Sequence, residues 1–176
     1  MANKITIFGL AGTGKSSVGK TLAKKLYCAF VSTGNVFREQ AKEAGVLVHE
    51  YDKMAEIDPG IDQKLDERIA QIGKIHENLV LESRLGWYFV PDSLKIKFIC
   101  EDGERFKRVA HRDKISEEEA KRISNIRENS HLERFKKVYG IEDYSADEHF
   151  DLIIDTTNIH VSEIIEIILK KVSETV

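Results

Sequence analysis

Hydrophobic and polar positions alternate along the chain in two different patterns. Short apolar runs rich in Ile, Val, Leu and Phe are typical of buried strands, and longer stretches with an apolar residue at every third or fourth position are typical of helices. The short runs predict five strands, over residues 4–8, 28–31, 78–82, 94–100 and 152–154. The stretches between them, and a last segment over residues 161–172, predict helices.

Capping signals place several helix ends. Asp58 followed by Pro59 predicts a helix start, with an acid at the N-cap and proline at the first helical position. Apolar residues then recur at helical spacing, at Ile61, Leu65, Ile69 and Ile72. Ser116 and Glu119 form a capping box for a long helix that we expect to end before Gly140. We therefore predict an all-helical insertion over residues 34–77 between two strands.

Strands separated by helices indicate one α/β domain over residues 1–176, with a five-stranded parallel sheet and helices on both faces. In such sheets, ligands bind outside the carboxyl ends of the strands. All five predicted strands end in polar or small residues. We therefore expect the functional site at that edge of the sheet.

Charge is distributed unevenly over the chain. The net charge is −3, but residues 103–138 carry eleven Lys and Arg against seven Asp and Glu. This basic segment contains no RNA-binding motif, so we expect no nucleic-acid partner. No apolar run approaches the ~18 residues of a membrane span, and Cys28 and Cys100 lack the spacing of a redox or metal pair. We expect a cytoplasmic monomer without a leader peptide, with both thiols buried.

One short motif has a specific chemistry. Residues 9–16 read G-x-x-x-x-G-K-S between a predicted strand and a predicted helix, which is the order of a phosphate-binding loop. The glycines let backbone N–H groups turn toward one centre, and the helix N-terminus adds partial positive charge. Lys15 is expected to reach the β- and γ-phosphates, and Ser16 to offer its hydroxyl to Mg²⁺. The predicted nucleotide contacts are Gly9, Ala11, Gly12, Thr13, Gly14, Lys15, Ser16 and Ser17.

The residues expected to face this loop limit the classes of reaction that the site could catalyse. The N-K-x-D motif of a GTPase does not occur, and the third strand ends in Glu82 with Arg84 close behind. Arginines also crowd residues 105–134, and their planar donors suit the binding of two mutually repelling phosphates. A monophosphate is already ionised at pH 7, so its attack on another phosphate needs no general base. This pattern favours phosphoryl transfer between two phosphates, and a solvated basic helix surface is the alternative.

The chain resembles the nucleoside monophosphate kinases, and most closely the archaeal-type cytidylate kinases. The resemblance runs from Ile5 to about Leu169 and rests on several motifs in the right order. They are residues 9–16, 32–34 with 37–39, 58–59 with 61–62, 81–82 with 84–85, 127–128 with 130 and 134, 139–141, and 154–156. The resemblance implies a P-loop NTPase fold in which residues 34–77 bind the monophosphate and residues 112–140 form a short helical lid.

The resemblance also implies roles for the matched residues. Those that would act in the transfer are Lys15, Arg84, Arg127 and Arg134. Those that would bind the acceptor are Ser32, Gly34, Arg38, Asp58, Asp62 and Arg84. Arg108 and Arg112 would lie near the adenine and phosphates of ATP, and Ser16 and Glu82 would bind Mg²⁺. The implied reaction is Mg²⁺-dependent transfer from ATP to CMP, without a covalent intermediate.

Several alternatives stay open. Leu85 stands where bacterial cytidylate kinases carry an Asp, so CMP, dCMP, UMP and AMP are all candidate acceptors. Asp58 is equally well explained as a helix cap, and Asp62 and Asp66 as parts of a solvated helix surface. Among the histidines, His131 is the one expected near a phosphate. A regulator that binds ATP without transferring phosphate is the competing class of protein.

Overall fold

The structure is a computed structural model that describes residues 4–174, apart from the side chains of residues 48 and 49. All five predicted strands are confirmed, as β1 (Lys4–Gly9), β2 (Ala29–Ser32), β3 (Leu79–Glu82), β4 (Leu94–Ile99) and β5 (Leu152–Asp155). They form one parallel sheet in the order β2-β3-β1-β4-β5. Because all strands run the same way, their carboxyl ends meet at one edge, with β1 in the centre.

Helices connect consecutive strands and cover both faces of the sheet. They are α1 (Lys15–Leu26), α2 (Thr33–Glu43), α3 (Val48–Ile57), α4 (Pro59–Ile75), α5 (Gly86–Phe89), α6 (Asp102–Asp113), α7 (Glu117–Tyr139) and α8 (Val161–Glu174), with a 3-10 turn over Asp147–His149. Helices α2, α3 and α4 all lie between β2 and β3. Within residues 4–174, no helix combines the length and apolar composition needed to cross a bilayer.

Two segments differ from the sequence-based expectation. Helix α2 begins at Thr33, earlier than predicted, and the Thr33 hydroxyl donates a hydrogen bond to the carbonyl of Glu82 on the neighbouring strand (3.2 Å). The segment after β3, expected to be a loop, forms the helical turn α5. Gly86 begins this turn close above β1, where a Cβ would lie 3.2 Å from that of Thr6. Both differences depend on contacts between elements, which a local sequence pattern does not contain.

The ends of α4 and α7 follow the capping signals. Asp58 precedes α4 and accepts a hydrogen bond from the amide of Gly60 (2.9 Å). Ser116 precedes α7 and accepts one from the amide of Glu119 (3.1 Å). Gly140 ends α7 with a φ of 68°, a left-handed conformation that favours glycine. These caps fix the two helices that carry much of the candidate site.

The main hydrophobic core lies between one face of the sheet and helices α1 and α8. Alternate residues of each strand point into it, as the period of two requires. The sheet contributes Ile5, Ile7, Val80, Leu94, Ile96, Phe98 and Ile154, and the helices contribute Val18, Leu22, Ile164, Ile165 and Ile168. The opposite face packs against clusters around Phe8 and Leu81. The prediction of helices on both faces is confirmed.

The two cysteines are less buried than expected. Cys28 and Cys100 are free thiols of intermediate exposure, so the expectation that both are buried is wrong. Cys28 packs against the edge of the main core. Its partial burial raises the pKa of the thiol, which favours the less reactive protonated form.

Two neighbouring residues on α8, one buried and one exposed, allow the packing of the core to be tested by substitution. Ile168 is 0% exposed, whereas Ile167 is 40% exposed. We expect Ile168→Ala to lower the free energy of unfolding by about 2–5 kcal/mol, through lost burial and the cavity left behind. Ile167→Ala should lower it by less than about 1 kcal/mol. Urea unfolding measures both, and equal losses would contradict the packing of α8 on the sheet.

Candidate active site

The loop between β1 and α1 has the backbone geometry of an anion-binding turn. Gly12 and Gly14 have φ values of 86° and 85°, in the left-handed region that glycine adopts without strain. A Cβ on Gly12 would lie 2.3 Å from the carbonyl oxygen of Arg105, and one on Gly9 would lie 2.4 Å from Oγ1 of Thr13. Gly14 is the N-cap of α1, so the free amides of the first helical turn point toward the loop. This geometry suits a phosphate group.

Side chains from other elements hold the loop in place. Thr13 is buried, and its hydroxyl donates to the carbonyl of Leu10 (2.9 Å). The hydroxyl of Thr156, which follows β5, donates to the carbonyl of Thr13 (3.0 Å). Arg108 donates to the carbonyls of Thr156 (2.9 Å) and Gly12 (3.4 Å). Arg108, on α6, therefore stabilises the loop through these hydrogen bonds.

Lys15 spans the loop as a desolvated cation. Its Nζ donates to the carbonyl of Leu10 (2.8 Å). Burial lowers the pKa of Lys15 to about 8, the Glu82 carboxylate opposes this shift, and the Arg84 and Arg112 guanidinium groups add to it. The ammonium group is still largely protonated at pH 7. A cation in such surroundings is well placed to attract an anion.

Ser16 and Glu82 bring two oxygen ligands together beside the loop. Ser16 Oγ donates to Glu82 Oε2 (2.7 Å). Ser16 lies in the first turn of α1 and Glu82 is the last residue of β3, so the fold itself places them side by side. Hydroxyl and carboxylate oxygens are ligands that Mg²⁺ accepts in proteins. The donor set therefore fits the metal that the sequence implies.

Two arginines that follow the neighbouring strands β2 and β3 lie in the same cavity as the loop lysine. Arg38 lies on α2, Arg84 follows β3, and both line the same cavity as Lys15. Arg38 donates to the side-chain oxygen of Asn35 (2.5 Å), and Nη1 of Arg84 lies 3.5 Å from the hydroxyl of Tyr144. Burial lowers the pKa of Arg84. In the described part of the chain neither guanidinium forms an ion pair, so both are available to an anionic ligand.

Helix α7 is held against α3 and α4 by ion pairs. Nε of Arg127 lies 3.0 Å from a carboxylate oxygen of Asp52, and Nε of Arg134 lies 3.0 Å from one of Asp62. Arg134 also donates to the backbone carbonyl of Asp52 (3.3 Å). The Arg127 side chain is 41% exposed and that of Arg134 is 9% exposed. Arg127 is thus the more accessible of the two arginines to a ligand.

Arg105 joins α6 to α7. It makes a bidentate contact with Glu128 (2.8 and 3.2 Å), its Nε donates to Asp102 (2.7 Å), and its guanidinium lies 4.3 Å from the ring centre of Phe106. The side chain is buried. For Arg105, the alternative of a solvated basic helix surface is therefore wrong.

The carboxylates of Asp62 and Asp66 are buried, so the alternative of a solvated helix surface is also wrong for them. Asp62 is 4% exposed and Asp66 is 7% exposed. Oδ2 of Asp66 accepts a hydrogen bond from the hydroxyl of Tyr139 on α7. Burial raises the pKa of Asp66 to about 7, with the Tyr139 hydrogen bond opposing the shift. Burial also raises the pKa of Asp62, and Arg134 opposes that shift.

One cavity brings most of the predicted residues together. Its cationic lining is Lys15, Arg38, Arg84, Arg112, Arg127 and Arg134. Ala11, Gly34, Asp62 and Glu82 line it as well. The other predicted residues do not line it. Gly9, Gly12, Thr13, Gly14 and Ser16 form the adjoining loop and helix start, and Arg108 contacts that loop from α6. Asp58 is an exposed cap of α4, Ser17 is exposed on α1, and Ser32 is buried at the end of β2. The structure thus assembles a phosphate-binding loop and a cluster of arginines around one space.

Two further residues line the cavity: Asp52, which carries no sequence signal for its role, and His131, which the sequence places near a phosphate. Asp52 is one of several acids on an amphipathic helix, and nothing in that pattern marks it as the partner of Arg127. His131 is buried, and its Nδ1 has no hydrogen-bond partner in the described part of the chain. Burial, with Arg84 and other nearby guanidinium groups, holds the pKa of His131 well below its usual value. The imidazole is therefore neutral at pH 7.

The fold and the site together define the P-loop class of nucleotide-binding proteins. Shikimate kinase from Acinetobacter baumannii shares this fold with a TM-score of 0.66 at 14% identity, over 99% of this chain and 95% of that chain. The model of the cytidylate kinase-like family matches residues 4–158, and the chain belongs to that family. It is 39% identical to the cytidylate kinase of Methanobrevibacter smithii, over 94% of this chain and 95% of the relative. It is 41% identical to the cytidylate kinase of Sulfolobus acidocaldarius, over 97% and 94% respectively.

The buried carboxyl group of Asp66 predicts a pH-dependent stability. Its pKa is about 7 in the folded protein and about 4 in an unfolded chain. The protonated group therefore stabilises the fold fully below about pH 4, and this stabilisation is lost as the pH rises to about 7. Between pH 5 and 7 the wild type should lose about 1 kcal/mol per pH unit relative to Asp66→Asn.

Urea unfolding at pH 5, 6 and 7 measures this difference. Glu67→Gln, at the exposed neighbouring position on α4, is the matched control and should follow the wild type. Parallel pH profiles for all three proteins would contradict a raised pKa at Asp66.

Proposed function

We propose that this protein is an ATP-dependent kinase that transfers the γ-phosphoryl group of ATP to CMP or dCMP, giving ADP and the nucleoside diphosphate. The observation that carries the proposal is the pair Arg38 and Arg84, which form no ion pair with any described residue and line the same cavity as Lys15. A protein that only sensed ATP would need the loop, but no second anion site opposite it. The relatives named cytidylate kinase support CMP as the acceptor.

The donor triphosphate binds the loop of residues 9–16 through backbone amides. Lys15 moves from the carbonyl of Leu10 to the β- and γ-phosphates, which exchanges a neutral acceptor for an anionic and stronger one. Arg108 and Arg112 on α6 flank the adenine and the phosphates. The pKa of about 8 keeps Lys15 charged at neutral pH, as this role requires.

The acceptor monophosphate binds between Arg38 and Arg84, close to the backbone of Gly34. Its second pKa is near 6, so the attacking oxygen is already ionised at neutral pH. The reaction therefore needs two anions held in line and positive charge on the transferring group, and it needs no general base. The arginine lining of the cavity supplies that charge.

Ser16 and Glu82 would hold Mg²⁺ through their oxygen atoms. Mg²⁺ held there would supply positive charge against the charge that develops on the phosphates. The contribution of this chain is to bring a hydroxyl from α1 and a carboxylate from β3 to within 2.7 Å of each other.

Residues 34–77 act as the monophosphate-binding segment and residues 112–140 as the lid of one kinase domain. Arg127, the more exposed of the two lid arginines, leaves Asp52 for the transferring phosphoryl group. Arg134 stays close to Asp62 and adds positive charge from the acceptor side. Closure of both segments excludes the water that would otherwise hydrolyse ATP.

A substrate panel with one loop variant separates the candidate functions. Purified protein with ATP and Mg²⁺ should release ADP in proportion to added CMP, in a coupled assay that also includes dCMP, UMP, AMP and GMP. Lys15→Ala should lower kcat by about 10²–10³-fold, because it removes charge stabilisation at the transferring phosphate. Lys20→Ala, exposed on the same helix, is the control and should leave kcat unchanged.

Turnover of UMP or AMP in preference to CMP would reassign the acceptor. No turnover of any monophosphate, or a Lys15→Ala variant that differs only in ATP affinity, would show a regulator and not a kinase.

The acceptor side is tested at Arg38. Arg38→Ala should raise the KM for CMP by about 10–100-fold, the loss expected for a charge-assisted hydrogen bond to phosphate. The KM for ATP should change little, because Arg38 lies after β2, away from the loop. Arg68→Ala, exposed on α4, is the matched control. Equal losses for both substrates would mean that Arg38 does not define the acceptor site.

A further inference from the structure

The cavity has two chemically distinct ends. At the glycine loop, Lys15 donates to the carbonyl of Leu10 (2.8 Å), and Ser16 donates to Glu82 (2.7 Å). On α4, Asp66 accepts a hydrogen bond from Tyr139, and Asp62 lies 3.0 Å from Arg134. Basic groups and a metal-binding candidate thus surround the loop, whereas carboxylates with partners on α7 mark the α4 side.

A mononucleotide also has two distinct ends, a phosphate and a base. Arg38 and Arg84 form no ion pair with a described residue and would take the phosphate, whereas Asp62 is already paired with Arg134. We therefore place the base toward Asp66. Apolar side chains line the cavity and suit the two faces of a pyrimidine ring; they are Phe37, Leu65, Leu85 and Phe135.

Asp66 is fixed in place by a neighbour on the lid helix. Its Oδ2 accepts the hydroxyl hydrogen of Tyr139, and the ring of Tyr139 packs edge-on against Phe89 with 5.3 Å between centroids. Above its pKa of about 7, the ionised carboxylate of Asp66 offers only acceptor positions. The remaining lone pairs of Asp66 can therefore take an N–H donor from a ligand, but not a carbonyl oxygen.

We infer that Asp66 reads the acceptor base by accepting a hydrogen bond from the exocyclic 4-amino group of cytosine, and that Tyr139 is the positioning residue that orients it. Uracil carries a carbonyl oxygen at the same place, so two acceptors would face each other without a proton between them. The inference rests on the proposed monophosphate kinase activity and adds its specificity, for CMP and dCMP over UMP.

Other groups around Asp66 complete the recognition of cytosine. The ring atoms N3 and O2 are acceptors, and Arg134 and His131, which line the same cavity, are the nearby donors. The titratable and charged groups that face Asp66 and Tyr139 are Asp62 on α4, Arg134 and His131 on α7, and Tyr88 on α5. Because burial raises the pKa of Asp66 to about 7, protonation at lower pH adds a donor and should weaken the discrimination against UMP.

The test compares kcat/KM for CMP and UMP in matched variants. Asp66→Asn keeps an oxygen for Tyr139 and can present an amide donor to the base, which matches O4 of uracil. We expect the wild type to favour CMP, and Asp66→Asn to shift the CMP:UMP ratio toward UMP by about tenfold or more. Glu67→Gln should leave the ratio unchanged. Tyr139→Phe, which retains Asp66, should reduce the preference for CMP without reversing it.

The outcomes separate this inference from the proposed function. An active Asp66→Asn variant with an unchanged CMP:UMP ratio overturns the inference. A shift confined to the CMP:dCMP ratio also overturns it, because Asp66 would then read the ribose. Calorimetric titration with CMP and UMP measures the preference without turnover. A wild type that binds CMP over UMP through Asp66, yet phosphorylates neither, would support the inference and overturn the proposed function.

Discussion

The candidate site depends on one buried ion pair, the bidentate contact between Arg105 and Glu128. The carbonyl of Arg105 closes against Gly12 in the phosphate-binding loop, and Glu128 lies on the helix that carries Arg127 and Arg134. The pair therefore links the loop to the lid through α6. Removing Arg105 would leave the Glu128 carboxylate without this partner, and removing Glu128 would leave Arg105 with Asp102 alone. Loop geometry and lid position would then be lost together.

Acidic residues between β2 and β3 balance the arginines of α7. Asp52 and Asp62 are partners of Arg127 and Arg134 in the protein alone. In the proposed reaction, a phosphate that enters the cavity competes with Asp52 for Arg127, so one anionic partner replaces another, and Arg134 stays paired with Asp62. The guanidinium groups are paired before and after the exchange, which keeps the desolvation penalty of closure small. The same acids repel a phosphate that approaches from the wrong end of the cavity.

Patterns of neighbouring residues predicted the strands and the glycine loop, but not the contacts between distant elements. Apolar runs gave all five strands, and glycine spacing gave the loop at residues 9–16, because both depend on neighbouring residues. The burial of Asp66 could not be predicted in this way, since Tyr139 covers it from a helix far along the chain. Arg105 resembled one more member of a basic surface, because its partner Glu128 lies on a different helix. The family motifs identified Arg134 as important, but not the carboxylate of Asp62 that it contacts.

The strand β3 carries the metal-binding candidate Glu82 at its end and the acceptor arginine Arg84 just beyond it. Glu82 is level with Ile7 of β1 in the parallel register, and the chain of β1 continues directly into the loop that holds Lys15. In the proposed reaction, the groups that would hold the donor and acceptor phosphates extend from two adjacent strands, which lie about 4.8 Å apart in the hydrogen-bonding direction. The paired strands, and not the surrounding helices, would then set the spacing between the two phosphate sites.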